Sequence, residues 1–571
     1  MWQIWKKRFS RHRLAVILSI VFGVMMVLPT LTFPLRLGSN YQGIPPQIVD
    51  DQLYYMARVQ DVMDGHPFLS NAYLLEHKSG LPQQTFLAED FLGGVFLLLH
   101  LDIAHGVELT TVVCSMFAFL LTYAIVELLT RRRDVALGVT GVLLLGIFPT
   151  MFMRFVSPQV NFLFWLSLCY LFLRLVREPV RRRDVALASI NFGLLFYLYP
   201  YYWTYYVVWI FLLIAAFAWK QRVIARRFFV VGCGAFILAL PYFFLSWKMS
   251  RLPEYAETLT RLGLVRSHLP TGISTAFLCA AVFLIVGFFL YRRATEANRA
   301  MTLWCMTSVA AALIAGNQQL ITGQNLEFSS HYFQQSVFMC VFALTFVLVE
   351  CSSWFQARRW FLRALLLASA LVILLGFHSW VITLFTIAPE DRNAQRYAPV
   401  FSWLRENTQK DDVVYADEQL SEYIPVYTSA NVLFVRDANL FILSDQETMD
   451  RWIVNNYFSD INDTFLFATM RSFFGVRYID QVGQAKQWNP VLRRLGLPEE
   501  PTEYLPTTQT RALVTRASEL QSVPFSDNLK RYRVDYIVQD RRLDAGWDVR
   551  RAAGVSWVKD EGDFSFYRVN H

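Results

Sequence analysis

Up to residue 387 this chain repeats apolar runs of about 20 residues, and beyond that point there are none. A helix rising ~1.5 Å per residue needs a run of that length to cross a hydrocarbon core ~30 Å thick. Few soluble folds tolerate so many runs, which makes a polytopic α-helical membrane protein the first expectation. Eleven runs are expected to cross, at 14–35, 107–129, 135–153, 160–173, 185–199, 203–219, 228–245, 273–291, 300–315, 333–350 and 362–387.

The connections alternate in charge. Those at 131–133, 177–183, 220–227, 292–299 and 358–363 are basic, and the others are polar, aromatic or acidic with one exception. Lys and Arg are retained on the cytoplasmic side. The leading MWQIWKKRFSRHR therefore reads as the cytoplasmic end of an uncleaved first helix, and an odd number of crossings places the C-terminal part outside. The segment 86–101 is short and carries Glu89, Asp90 and His100. Counting it as a crossing would reverse the alternation, so it reads as an interfacial or re-entrant helix within the first outer loop, 36–106.

Charge divides at the same boundary. Residues 388–571 hold 22 Lys and Arg against 27 Asp and Glu, so the net +8 splits into +13 for 1–387 and −5 for the remainder. The basic excess reflects membrane orientation, and nucleic acid is not an expected partner. All seven cysteines lie in or beside apolar segments, without CxxC pairs or zinc spacing. Nucleotide-binding and metalloprotease motifs are also absent.

Residues 388–571 read as a soluble extracytoplasmic α/β domain. A helix is expected over 397–406 and strands at DDVVYAD, NVLFV, FGVRYID and VDYIVQD. VSWVKDEGDFSFYRV reads as a terminal hairpin and PEEPTEYLPTTQTR as a long loop. RRRDVAL occurs at both 131–137 and 181–187, where Asp134 and Asp184 are expected as helix N-caps.

Chemistry concentrates in the first outer loop, IVDDQLYYMARVQDVMDGHPFLSNAYLLEHKSG. Asp50 and Asp51 precede an amphipathic stretch carrying Leu53, Met56, Val59, Val62 and Met63, which suggests a helix on the membrane face. A carboxylate held there could deprotonate a hydroxyl or amine attacking an activated sugar. Asp at a helix start is also favourable in itself.

An acidic pair after the first helix, in the spacing D-[DE]-x-x-Y with Gly closing the next helix, resembles the GT-C superfamily of membrane glycosyltransferases. The matching residues are Asp50, Asp51, Tyr54 and Gly65. The resemblance implies a polyprenyl-phosphate-linked sugar donor, inversion at the anomeric carbon, and Asp50 as base with Asp51 beside it. Many members carry another acid in the next outer loop, some for a metal. Here that loop is MRFVSPQVNF, with Arg154, Gln159 and Asn161 but no carboxylate. No metal ligand is assigned; Glu76, Glu89 or Asp90 would have to supply the second acid if a divalent metal is used.

A lipid-phosphate donor needs cations at the outer face, and the planar Arg fork suits phosphate. The candidates are Arg58, Lys78, Arg154, Lys248, Arg251, Arg261 and Arg266. The exceptional outer loop SWKMSRLPEYAETLTRLGLVRSH, basic against the charge rule, is favoured among them. For the sugar or acceptor pocket the candidates are Tyr54, Glu89, Asp90 and Gln159, Tyr201, Tyr202 and Trp203 of LYPYYWTYYVVW, and Glu327 and His331 of GNQQLITGQNLEFSSHYFQQ. Polar loops at membrane depth are costly unless they line a cavity. The expected activity is transfer of a sugar to an extracytoplasmic glycan, lipid or protein in cell-envelope synthesis at the inner membrane. The alternatives are a transporter or flippase and a non-catalytic assembly protein.

Overall fold

The structure, a computed structural model, describes residues 2–177, 180–271, 275–326, 329–351 and 359–570. The helices run α1 (Trp2–Leu37), α2 (Gln52–Met63), α3 (Leu87–Leu99), α4 (Ile103–Thr130), α5 (Arg133–Gly141, continued by a π-helical turn Val142–Ile147) and α6 (Asn161–Val176). They continue as α7 (Arg182–Leu195), α8 (Pro200–Ala218), α9 (Arg222–Met249), α10 (Tyr255–Arg261), α11 (Thr275–Arg293) and α12 (Glu296–Ala315). After α13 (Gln319–Thr322) and α14 (Phe333–Glu350), α15 (Arg359–Phe385) closes the bundle.

Among the described residues six helices are long and apolar enough to cross a membrane, corresponding to α1, α4, α8, α9, α14 and α15. The other five expected spans fall on α5 with its π turn, α6, α7, α11 and α12. Of these, α6 has 16 residues and α7 has 14, so at ~1.5 Å per residue both are shorter than the hydrocarbon core. Lipid-facing surface is plain on the outer helices: Phe236 and Ile237 of α9 and Leu366, Leu367 and Leu374 of α15 are all more than half exposed. The segment 86–101 forms α3, of only 13 residues.

Three of the basic connections and the N-terminal helix meet at one end. Arg133 donates to the Arg11 carbonyl, Arg177 to that of Leu129 and Arg227 to that of Leu175. Asp134 and Asp184 are not N-caps. They lie inside the first turns of α5 and α7, whose N-cap residues are Arg132 and Arg181. Asp184 accepts from the Arg181 backbone N–H at 3.1 Å, and both carboxylates favour the positive helix end from there.

Close backbone approach joins α15 to the π turn. A Cβ at Gly376 would collide with the carbonyl oxygens of Leu145 and Gly146 and lie 2.6 Å from Gly146 Cα. Gly376→Ala is expected to destabilise the bundle by about 1–3 kcal/mol through overpacking. A lowered unfolding midpoint in detergent is the readout; an unchanged midpoint would mean that these helices are not in contact.

Beyond Pro389 the chain builds a five-stranded sheet of β1 (Val413–Tyr415), β2 (Asn431–Val432), β3 (Tyr536–Asp540), β4 (Val555–Glu561) and β5 (Phe564–Val569), in the order β2-β1-β3-β5-β4. The first two pairings, β1 with β2 and with β3, are parallel; the β3–β5 and β5–β4 pairings are antiparallel. Side chains alternate across a strand, and here the alternation joins two cores. Val414, Val538 and Phe566 pack into the core continuous with the helical bundle, whereas Tyr415, Ile537 and Tyr567 pack into a second core with the helices Asp445–Asn455, Asp463–Phe474 and Thr507–Ser522. The sheet is thereby seated directly on the bundle.

FGVRYID is not a strand. Gly475, at φ +58°, ends the helix Asp463–Phe474, and Arg477–Arg494 is helical. The Val476 N–H bonds the Arg261 carbonyl instead of a neighbouring strand. A short apolar run reads equally as helix or strand from its pattern.

Candidate active site

At the end of the bundle opposite the basic connections lies a cavity of about 540 Å³. Its walls come from α2, the segment 82–86, residues 196–204 at the start of α8, the end of α9, residues 255–264, and the 3-10 turn Arg436–Leu440. Ten of the twelve residues of α2 are buried, because α2 is wedged between α3 and the helix Glu418–Tyr427. It does not lie with one face on the membrane.

Asp51 precedes α2 and lines the cavity; Asp50 is exposed and outside its lining. Arg154 donates through Nε to both Asp51 oxygens, at 3.0 and 3.1 Å, and through Nη2 to Oδ2. Its Nη1 has no protein partner among the described residues. The guanidinium also sits 5.9 Å over the Tyr55 ring. A planar cation is thus held by one edge, with its remaining N–H groups directed away from Asp51.

A second pair is sealed into the wall. Arg58 Nη2 lies 2.9 Å from Glu89 Oε1, with side chains 3% and 4% exposed. Arg58 also donates to Tyr54 Oη and the Thr85 carbonyl. Its charge is spent on Glu89, so Arg58 belongs to the frame of the site and is not free to meet a phosphate.

Aromatic groups form another wall. The Tyr201 ring stacks on His331 at 4.4 Å, Tyr199 Oη lies 3.0 Å from His331 Nδ1, and Trp203 stacks on Phe196 at 4.7 Å. Burial, and secondly Arg154, pushes the His331 imidazole down to about 4, with Asp51 opposing. Because the unfolded chain then binds the proton more tightly, this histidine's contribution to stability is complete above pH 6.5 and lost as pH falls towards 4. His331→Gln is expected to flatten stability against pH in that window, where one proton accounts for at most about 1.4 kcal/mol per pH unit. Unfolding midpoints over the acid range check this, and an unaltered slope would contradict it.

From the sheet region, Asp437 reaches the same cavity. Its Oδ1 accepts from Arg436 Nε at 3.3 Å, while Oδ2 has no partner among the described residues. Burial pushes the carboxyl above the usual carboxylate range; Arg436 opposes this and the nearby Asp51 charge adds to it.

The remaining expected residues divide clearly. Tyr54, Glu89, Tyr201, Trp203 and His331 line the cavity with Asp51 and Arg154. Tyr202 is buried beside Phe162 outside the lining, and Gln159 is a core residue donating to Thr111 Oγ1 and the Phe152 carbonyl. Asp90 accepts the Phe68 N–H, and Glu76 pairs with Arg451 at 3.0 Å. Lys78 is bonded to Asp61 and Arg261 to Asp445. Arg266 is exposed on a separate groove. Lys248 and Arg251 point outward over Phe244 and Trp247. The favoured basic loop therefore gives the cavity apolar groups (Met249, Leu259, Leu262 and Leu264) in place of cations. Glu327 lies outside the described residues. Among the described residues no three His, Cys, Asp or Glu side chains are grouped to hold a metal ion.

No protein-family model matches the chain, and no curated protein matches it. Among solved structures, it is similar to the oligosaccharyltransferase of Archaeoglobus fulgidus, crystallised with zinc and sulfate. The TM-score is 0.48 at 11% identity, covering 97% of this chain and 73% of the other.

Proposed function

We propose that this protein is a multi-pass membrane glycosyltransferase that transfers a sugar from a polyprenyl-phosphate donor to an acceptor on the extracytoplasmic side, with inversion. The observation that carries the reading is what the cavity wall combines. A fixed guanidinium and carboxylates, tyrosine and tryptophan rings, and the apolar side chains Leu245, Met249, Leu259 and Leu262 all line it. That combination suits a phosphate, a sugar face and a lipid chain. In this reading the basic end of the bundle is cytoplasmic and the sheet region is extracytoplasmic.

Arg154 meets the donor phosphate, and Asp51 holds Arg154 in place. The tyrosines flank the sugar, and His331, kept neutral by burial, presents hydrogen-bonding capacity without adding charge. The sheet region closes the acceptor side of the cavity.

The test is transfer of labelled sugar from a panel of polyprenyl-phosphate sugars by the purified protein in lipid nanodiscs. Asp51→Asn is expected to lower the rate about 10²-fold, the order of loss that accompanies a misplaced substrate-binding group. Asp50→Asn, changing an exposed residue outside the lining, is expected to stay close to wild type. Absence of transfer from every donor would overturn the reading in favour of transport or assembly.

A further inference from the structure

Among the described residues three carboxylates line the cavity, and they differ in what already holds them. Asp51 accepts from Arg154 with both oxygens. Glu89 is sealed against Arg58. Asp437 keeps Oδ2 without a protein partner among the described residues, and its side chain is 14% exposed.

Its position is built by the fold. The turn Arg436–Leu440 follows directly from the buried run after β2, and Gln84 donates to the Leu440 carbonyl at 2.7 Å. Phe441 packs 6.3 Å from the Tyr54 ring, and Asn439 bonds the Ser472 carbonyl. These contacts pin the turn against both α2 and the 82–86 segment, presenting Asp437 to the chamber that Asp51 also lines.

We propose that Asp437 is the catalytic base of this site, taking the acceptor's proton, with Asp51 confined to positioning Arg154. The proposal rests on the glycosyltransferase reading above. In the step, the acceptor oxygen or nitrogen forms its bond to the anomeric carbon as its proton passes to Asp437 Oδ2. The bond from that carbon to the phosphate oxygen breaks, and the electron pair leaves with the polyprenyl phosphate. The proton returns to water after product release. No further reactant is required. A carboxylate engaged only at one oxygen suits this role, since a base must reach the acceptor's hydrogen directly.

The experiment compares wild type with Asp437→Asn, Asp437→Glu and Asp50→Asn in nanodiscs, over a pH series, with donor and acceptor varied separately. Wild-type transfer is the entry condition, and its absence would overturn the glycosyltransferase reading and this proposal together. With transfer present, Asp437→Asn is expected to lower kcat about 10²–10⁴-fold. It should also remove the fall in rate on the acid side of the pH profile and leave the donor KM unchanged. Asp437→Glu should restore part of the rate and return an acid limb at a displaced pH. A near-wild-type rate in Asp437→Asn would overturn this assignment while leaving the glycosyltransferase reading intact. So would an unchanged acid limb in the residual activity, or a comparable loss in Asp50→Asn with an altered limb. Unfolding midpoints identify a variant that has merely lost its fold; in that case the Asp437→Glu limb decides, and an unmoved limb overturns the proposal.

Discussion

Glu89→Ala is expected to lower unfolding free energy by about 3–5 kcal/mol, the cost of leaving a buried charge without its partner. The partner is Arg58, whose guanidinium lies 2.9 Å from Glu89 in a site with almost no access to water. Arg58→Ala should be comparably damaging, because it removes the pair and also the bonds to Tyr54 and Thr85. The double replacement Arg58→Met with Glu89→Leu should recover much of the loss, since exchanging a whole buried ion pair for apolar side chains of similar volume is often neutral. Unfolding midpoints of the four proteins in one detergent provide the cycle. If the double variant falls by the sum of the singles, the two residues are not coupled and the wall of the cavity is built differently. Pairs such as Arg493–Glu499, exposed at 71% and 40%, lie in water; their removal should have little measurable effect.

This pair also shows where sequence reasoning reaches its limit. Membrane helices leave a strong trace because the bilayer demands long apolar runs, so six of the eleven expected spans fall on helices long and apolar enough to cross; the other five runs form helices that hydropathy alone does not make crossings. The hairpin of β4 and β5 was legible from period-two alternation around Gly562. The Asp50–Asp51 loop led to α2 and hence to one wall of the cavity. Tyr201, Trp203 and His331 were found from aromatic clustering and from polar residues beside a span.

What stayed hidden depends on tertiary partners. Arg58 and Arg154 are the same residue type and line the same cavity, yet Glu89 neutralises one and Asp51 orients the other. The charge-rule violation at Lys248 and Arg251 was real in sequence, but their cations settle over exposed aromatic rings. Asp437 lay inside an apolar stretch, NVLFVRDANLF, that reads as a strand flank. Only the contacts of its turn with α2 and the 82–86 segment give it an address in the cavity.

Arg154→Ala is expected to lower kcat/KM about 10²–10³-fold, the range for losing a preorganised group that stabilises developing charge. In the proposed polyprenyl-phosphate donor, the phosphate is a diester between the polyprenol and the sugar and carries one negative charge. As the bond to the sugar breaks, the departing polyprenyl phosphate approaches a second. A guanidinium already fixed by Asp51 through Nε and Nη2, with Nη1 unpartnered among the described residues, would meet that added charge without having to reorganise. Its interaction is therefore stronger in the transition state than with bound donor, and only such differences accelerate the chemical step. The loss should fall mainly on kcat, with a smaller change in donor KM. Arg154→Lys keeps the charge but loses the planar fork that engages Asp51 at one edge, so it should restore only part of the rate. Equal activity in Arg154→Lys and wild type would reduce Arg154 to a diffuse positive charge. A loss confined to KM would place it in ground-state binding, leaving another group to stabilise the departing phosphate.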